Sequence, residues 1–313
     1  MILATPVLEK LHKYFPDAQL DILVKKGNER LFDNHPFLHE VLVWDKQSHK
    51  YLSFDKLMHR VWNAKYDLVV NLQRFFLTGL MTAFSRAGMR IGFDKNPMSL
   101  FFTTKIPHRI DHGTHEIKRN LSLISKITDD MDVMPRIYPS PADLHHVAPM
   151  KTGRYYTFSP ASLWFTKQFP AGKWVELANQ VSPDAAIYLL GAPGDQLLCD
   201  SIIHQASHPG MKNLAGTLTF LQSAALMMDA RMNFTNDSAP MHLASAVNAP
   251  VTAIYCSTVP EFGFGPLSVN SSVVEVAEKL SCRPCGLHGY QACPEKHFRC
   301  AWDVHVEELA KRL

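Results

Sequence analysis

Two stretches of this 313-residue chain carry side chains able to hold a phosphate. The first is Phe234-Thr235-Asn236-Asp237-Ser238-Ala239-Pro240-Met241-His242-Leu243-Ala244. It reads as a strand running into a helix, with Asp237 and Ser238 placed to cap that helix and Pro240 in its first turn. Free N–H groups at such a start make an anion site, and the small residues Ala239, Ala244, Ser245 and Ala246 allow close approach. The plain alternative is an ordinary capped helix with His242 as a core side chain. Ala239 stands where a Gly would leave more clearance. The second stretch, Ser159 to Pro170, follows one strand and precedes a helix. It therefore lies at the carboxyl edge of a sheet, where crevices bind ligands. Ser159, Ser162 and Thr166 offer hydroxyls, and Lys167 a point charge for phosphate; a solvated loop lysine is the competing reading. Asn213-Leu214-Ala215-Gly216-Thr217 and Gly263-Phe264-Gly265-Pro266 are two more loops, each weak alone and compatible with a simple turn.

The cysteines divide into two sets. Cys199 and Cys256 read as buried apolar residues. Cys282, Cys285, Cys293 and Cys300 crowd into one tail segment, 282–300, with His288 and His297 between them. Such a group can bind a structural metal, form disulfides or stay as thiols. The second pair lacks the tight Cys-x-x-Cys spacing of a zinc site, so no metal ligand is assigned.

The elements that must position these residues follow from the pattern of apolar runs. Hydrophobic residues at 46% and charged residues at 19% describe a globular chain. Lys+Arg of 32 against Asp+Glu of 29, evenly spread, argues against a nucleic-acid partner. No apolar run approaches the ~18 residues of a membrane span. The opening Met1–Val7 has no basic stretch or long apolar core, so it is not a signal peptide. Leu3, Val7, Leu8 and Leu11 share a helical face, so the chain opens at a helix with no strand ahead of it. Strands are then predicted at 19–24, 40–44, 67–72 and 90–93, alternating with helices at 54–62 and 75–84, a loop over 94–112 and a helix over 115–127. Prolines 135, 139, 141 and 149 mark a domain boundary. Strands at 155–158, 186–191, 232–235 and 251–255 follow, alternating with helices at 173–181, 195–205, 220–228 and 239–247. A closing helix lies over 303–313. Alternation of this kind gives an α/β fold with parallel sheets, here two Rossmann-like domains facing a cleft, 1–145 and 146–313.

Taken together, these motifs resemble the lipopolysaccharide heptosyltransferase family, glycosyltransferase family nine. The residues that match are Lys167 in its Thr-Lys-x-x-Pro stretch, Asn213-Leu214-Ala215-Gly216, Asn236-Asp237-Ser238-x-Pro240-Met241-His242-Leu243-Ala244 and Gly265-Pro266. In the first half, Ala4-Thr5-Pro6, Asp67-Leu68-Val69-Val70-x-Leu72-Gln73 and Arg90-Ile91-Gly92 are similar too. The resemblance implies a GT-B enzyme with an acceptor-binding first domain and a nucleotide-sugar-binding second one. It would move a heptose from an ADP-sugar to the lipid-linked inner core of lipopolysaccharide, inverting the anomeric centre, with no metal and no cofactor. It places the enzyme at the cytoplasmic face of the inner membrane, as a monomer in peripheral contact. Ser162, Thr166, Lys167, Asp237, Ser238, Ala239, Met241 and His242 would line the donor site, where the leaving diphosphate needs fixed donors.

One departure concerns catalysis. The family opens with a strand and a Gly-Asp turn, whose Asp is taken as the general base, before the Ala-Thr-Pro helix. No residue here matches that Asp, so no catalytic residue is assigned, and the first domain is expected to lack its central strand. Trp62, Lys65, Arg74, Phe75 and Phe76 are candidates for the acceptor side, against a core role for the aromatics. Two other functions compete: a nucleotide-sugar epimerase of the same architecture, for which no facing pair of carboxylates is found, and a non-catalytic nucleotide-sugar binding protein.

Overall fold

The computed structural model describes residues 1–48, 50–110 and 113–313. The chain forms two compact units, Met1–Arg136 and Ile137–Leu313.

In the first unit, α1 (Thr5–Tyr14) forms where Pro6 sits in the first turn and His12 and Lys13 lie in the last, both placements that suit a helix. It buries Val7, Leu8 and Leu11. The strands are β1 (Leu20–Lys25), β2 (Leu38–Trp44), β3 (Leu68–Asn71), β4 (Met89–Phe93) and β5 (Thr104–Ile106), with α2 (Lys50–Ala64), α3 (Phe76–Ala83) and α4 (Glu116–Ser122) between or after them. They make two parallel sheets, β2-β1 and β3-β4-β5. Among the described residues β1 and β3 share no ladder. Each sheet has its own apolar cluster: Val7, Leu11, Ile91, Phe93 and Leu121 in one, and Leu42, Trp44, Leu57, Val61 and Met81 in the other. The expected loop over 94–112 is corrected, since it contains β5 and a single 3₁₀ turn at Ser99–Phe101; residues 111 and 112 lie outside the described residues. A three-residue strand, Thr-Lys-Ile, carries no apolar run for sequence reading to detect. The helix expected over 115–127 ends at Ser122 and continues as turns.

The second unit opens with α5 (Pro141–Val147), within the proline-rich stretch read as the domain boundary. Ser140 and Asp143 close a capping box around its start, and the helix packs on α8 (Phe220–Met228). That packing places the boundary at 136/137, ahead of the expected 145/146. Six strands follow: β6 (Tyr155–Ser159), β7 (Ala186–Leu189), β8 (Met211–Asn213), β9 (Asn233–Asn236), β10 (Val251–Tyr255) and β11 (Ser271–Glu275). They form one parallel sheet in the order β8-β7-β6-β9-β10-β11. From β6 the chain winds outward to β8, then returns to start again at β9. The strand order therefore reverses between β6 and β9, the point at which doubly wound sheets bind ligands beyond their carboxyl ends. Every residue of β6, β9 and β10 is buried. The helices α6 (Ala171–Ala178), α7 (Gln196–Gln205) and α9 (Ala239–Ala246) flank the sheet. The closing helix expected over 303–313 is the shorter α11 (Val306–Ala310), preceded by a one-turn α10 (Arg299–Trp302). Phe158, Trp174, Leu177, Ile187, Phe234 and Leu309 share one buried apolar cluster of this unit.

Candidate functional site

Two loops leave the sheet at the reversal point. Strand β6 ends at Ser159, opposite Thr235 of β9, so the 160–169 loop and the Asp237 turn start side by side. Asn236, fully buried, ties them together. Its Oδ1 accepts from Phe169 N at 3.0 Å, and its Nδ2 donates to Pro160 O at 2.8 Å. This brace brings Lys167 Nζ to 2.6 Å from Asp237 Oδ2, with the two side chains 14% and 7% exposed. Thr258, just beyond β10, donates its hydroxyl to the same carboxylate oxygen at 2.7 Å.

Asp237 is thus not a helix cap. Its carboxylate serves Lys167 and Thr258, and Ser238, at the N-cap position of α9, makes no side-chain cap bond. The Ser238 hydroxyl instead leans toward Asn236 O at 3.4 Å. The first turn of α9 therefore has no side-chain acceptor of its own. Pro240 has no N–H to give, and the Met241 N–H bonds Ser238 O at 3.2 Å. Ala239 is exposed, so its methyl group does not close the helix start as expected.

Three further expectations are corrected. Thr166 is buried, and its oxygen accepts from Ser257 Oγ at 3.0 Å and Tyr290 N at 2.8 Å. It is a brace within the unit, with no hydroxyl left facing outward for a phosphate. Met241 is fully buried, with its sulfur 3.6 Å from the Tyr255 hydroxyl, so it packs in the core. Trp62, Phe75 and Phe76 are 41%, 68% and 52% exposed, not core residues. Ser162 is half-buried and its carbonyl accepts from Gln168 Nε2 at 2.7 Å. His242 is half-buried on α9. Sequence reasoning missed Asn236 as a brace, and it missed Ser257 and Thr258 altogether. Their roles depend on β10 lying beside β9, which no local signal announces.

In the first unit, Arg74, Phe75, Lys95, His108 and Ile110 line a cavity of about 540 Å³. Burial, then the Arg74 charge, press the His108 pKa below its ordinary value.

The six cysteines are free thiols. Cys199 and Cys256 are fully buried; burial pushes the Cys199 thiol up to about 12 and Cys256 higher still. In the tail, Cys282 Sγ lies 3.8 Å from His297 Nε2 and Cys285 Sγ 3.3 Å from Cys282 O. Among the described residues, the tail thiols do not bring three ligand atoms together at one point. Among the described residues only Asp21, His39 and Glu40 do so. There Asp21 already bonds His39 and Tyr66, and Glu40 pairs with Arg60.

A lysine, a buried carboxylate and an uncapped helix start thus lie together at the reversal point of a parallel sheet, where doubly wound sheets bind ligands. The glycosyltransferase family 9 (heptosyltransferase) model matches residues 54–290, so the chain belongs to that family and is a glycosyltransferase. It is 26% identical to an Escherichia coli lipopolysaccharide heptosyltransferase 3, over 82% of this chain and 80% of that protein. It is 23% identical to the lipooligosaccharide heptosyltransferase 2 of Campylobacter jejuni, over 99% of this chain and 92% of that one. The solved structure of the E. coli ADP-heptose lipopolysaccharide heptosyltransferase II shares its fold, with a TM-score of 0.81 at 19% identity, covering 100% of this chain and 93% of that one.

Proposed function

We propose that this glycosyltransferase moves a heptose from an ADP-sugar to the inner core of lipopolysaccharide, with inversion at the anomeric carbon. The observation that carries the reading is the convergence of Lys167, Asp237 and the start of α9 (Ala239–Ala246) at the sheet's reversal point. As the sugar leaves, negative charge builds on the nucleotide diphosphate. A partly exposed ammonium and helix N–H groups stabilise that charge where it forms. Asp237 aims the ammonium: it takes one of the three Lys167 N–H donors and leaves two for phosphate oxygens. Ser162, Ser238, Ala239 and His242 are assigned to the surrounding donor site. The acceptor is assigned to the first unit, which presents Arg74, Phe75 and Phe76 at its surface.

Among the described residues, no helix is long and apolar enough to cross a membrane. The reading is of a monomer that meets its lipid-linked acceptor from the cytoplasmic face of the inner membrane. Incubation with labelled ADP-heptose and a lipid-linked core acceptor tests it. Transfer of label to lipid supports the reading; release of an epimerised sugar, or binding without turnover, overturns it. Lys167→Ala should weaken ADP binding about tenfold or more, the worth of a charge-assisted hydrogen bond.

A further inference from the structure

The segment from Cys282 to Tyr290 bonds both the loop that carries Lys167 and the 256–258 loop, whose Thr258 holds Asp237. At its start, Arg283 donates from Nε to Cys256 O at 2.7 Å and from Nη2 to Thr258 O at 2.8 Å, while Glu275 holds the guanidinium at 2.5 Å. Cys285 N donates to Ser257 O at 2.9 Å. At its end, Tyr290 N donates to Thr166 Oγ1 at 2.8 Å, and Thr166 N returns a bond to Tyr290 O at 3.0 Å. Gly289 lies against the same loop at φ +81, and a Cβ there would come within 2.9 Å of Thr166 Oγ1 and 3.1 Å of Lys167 Cγ.

One end of this segment is therefore fastened to the residue before Lys167. The other end is fastened to the residue whose hydroxyl bonds Asp237. The fixings are directional hydrogen bonds, several to loop backbone that no sheet ladder holds. The planar guanidinium is suited to pinning two carbonyls at once in a fixed relation, and here it pins those on either side of Ser257.

We propose that Cys282–Tyr290 is a strap that sets the aim of Lys167 and Asp237, with Arg283 as a positioning residue for the phosphate end of the donor. This rests on the reading that Lys167 holds the diphosphate. Without Arg283 the 256–258 loop loses its fork, Thr258 no longer presents its hydroxyl to Asp237, and the Lys167 ammonium is no longer held in one place. None of these changes removes a group assigned to the nucleotide.

Calorimetric binding of ADP and of adenosine to the full chain tests the strap. Adenosine lacks phosphate, so a positioning defect weakens ADP and leaves adenosine unchanged. Arg283→Met and Gly289→Ala should each weaken ADP about tenfold, with adenosine unaffected and Arg283→Lys partly restoring ADP. Thr258→Val, a near-isosteric change, should act in the same direction and decides the matter if Arg283→Met does not fold. Unchanged ADP affinity in Arg283→Met and Thr258→Val, with a loss in Lys167→Ala, overturns the strap alone. Equal losses for ADP and adenosine also overturn it, since they mark general disruption. Full ADP affinity in Lys167→Ala overturns the phosphate site itself, and the strap's role with it.

Discussion

Lys167 and Asp237 lie on different loops, yet their charged atoms meet at 2.6 Å because Asn236 fastens those loops to each other. The pair is mostly buried, so removing one charge leaves the other with poor solvation. Lys167→Met should destabilise the second unit by up to ~3 kcal/mol, the lower end for a broken buried pair, because some water still reaches the site. Lys167→Met combined with Asp237→Leu should recover much of that loss. Urea unfolding of both variants makes the comparison, and a double variant no more stable than the single one would contradict it.

Asn236 is a second point of leverage. Its amide satisfies Phe169 N and Pro160 O, both on the loop that carries Lys167. Asn236→Ala orphans both groups, at about 1–3 kcal/mol each where they stay buried. The expected result is a loss of about 2–6 kcal/mol, with faster amide exchange in the 160–169 loop than in β7. Uniform exchange changes across the unit would argue against a local brace.

These residues also mark how far the sequence could be read. Strands β6 and β10 are continuous runs of buried residues, and a run such as Val-Thr-Ala-Ile-Tyr is recognisable alone. The overlooked strands are β5, β8 and β11. Each is the edge of its sheet, and β5 and β8 have only three residues each, Thr-Lys-Ile and Met-Lys-Asn. An edge strand is half solvated, and its side chains need no apolar pattern. The site divides the same way. Lys167 and Asp237 stood out because a lysine and an acid flank predicted strand ends. Thr258 and Arg283 did not, because their partners are backbone carbonyls and a carboxylate brought near only by the order of the sheet.

Gly216 shows a motif residue with a structural task. Its φ is +75, and a Cβ would meet Pro193 Cα at 2.8 Å. Gly216→Ala has to bear left-handed strain of about 1–2 kcal/mol and displace backbone besides. The unfolding midpoint should fall markedly while ADP affinity of the folded fraction changes little. A loss of ADP binding without loss of stability would move Gly216 into the site.

The thiols differ in accessibility, and alkylation reads the difference. Cys282, Cys285 and Cys293 are half-buried, whereas Cys199, Cys256 and Cys300 are buried. Burial also pushes the Cys199 and Cys300 thiols up to about 12, which leaves almost no thiolate at neutral pH. Iodoacetamide at pH 8 should modify tail thiols within the 282–293 segment first and all six only after unfolding. Early modification of Cys199 or Cys256 would show that the second unit opens locally.

The first unit carries a titrating group of its own. The His35 ring is half-buried, 4.5 Å from Phe37 edge to face and 6.0 Å from Phe32. Burial, helped by the charge of His12, lowers its pKa from 6.5 to about 4. A histidine with a depressed folded pKa binds its proton more readily when unfolded. The unfolded state therefore gains protons first as the pH falls, and stability declines with it. The contribution is fully present above about pH 6.5 and is lost progressively down to about pH 4. Urea midpoints at pH 7.5 and pH 5 should differ for the native sequence, and His35→Phe should reduce that difference by removing the titrating ring. If His35→Phe keeps the whole pH dependence, another group carries it and the ring is protonated as easily folded as unfolded.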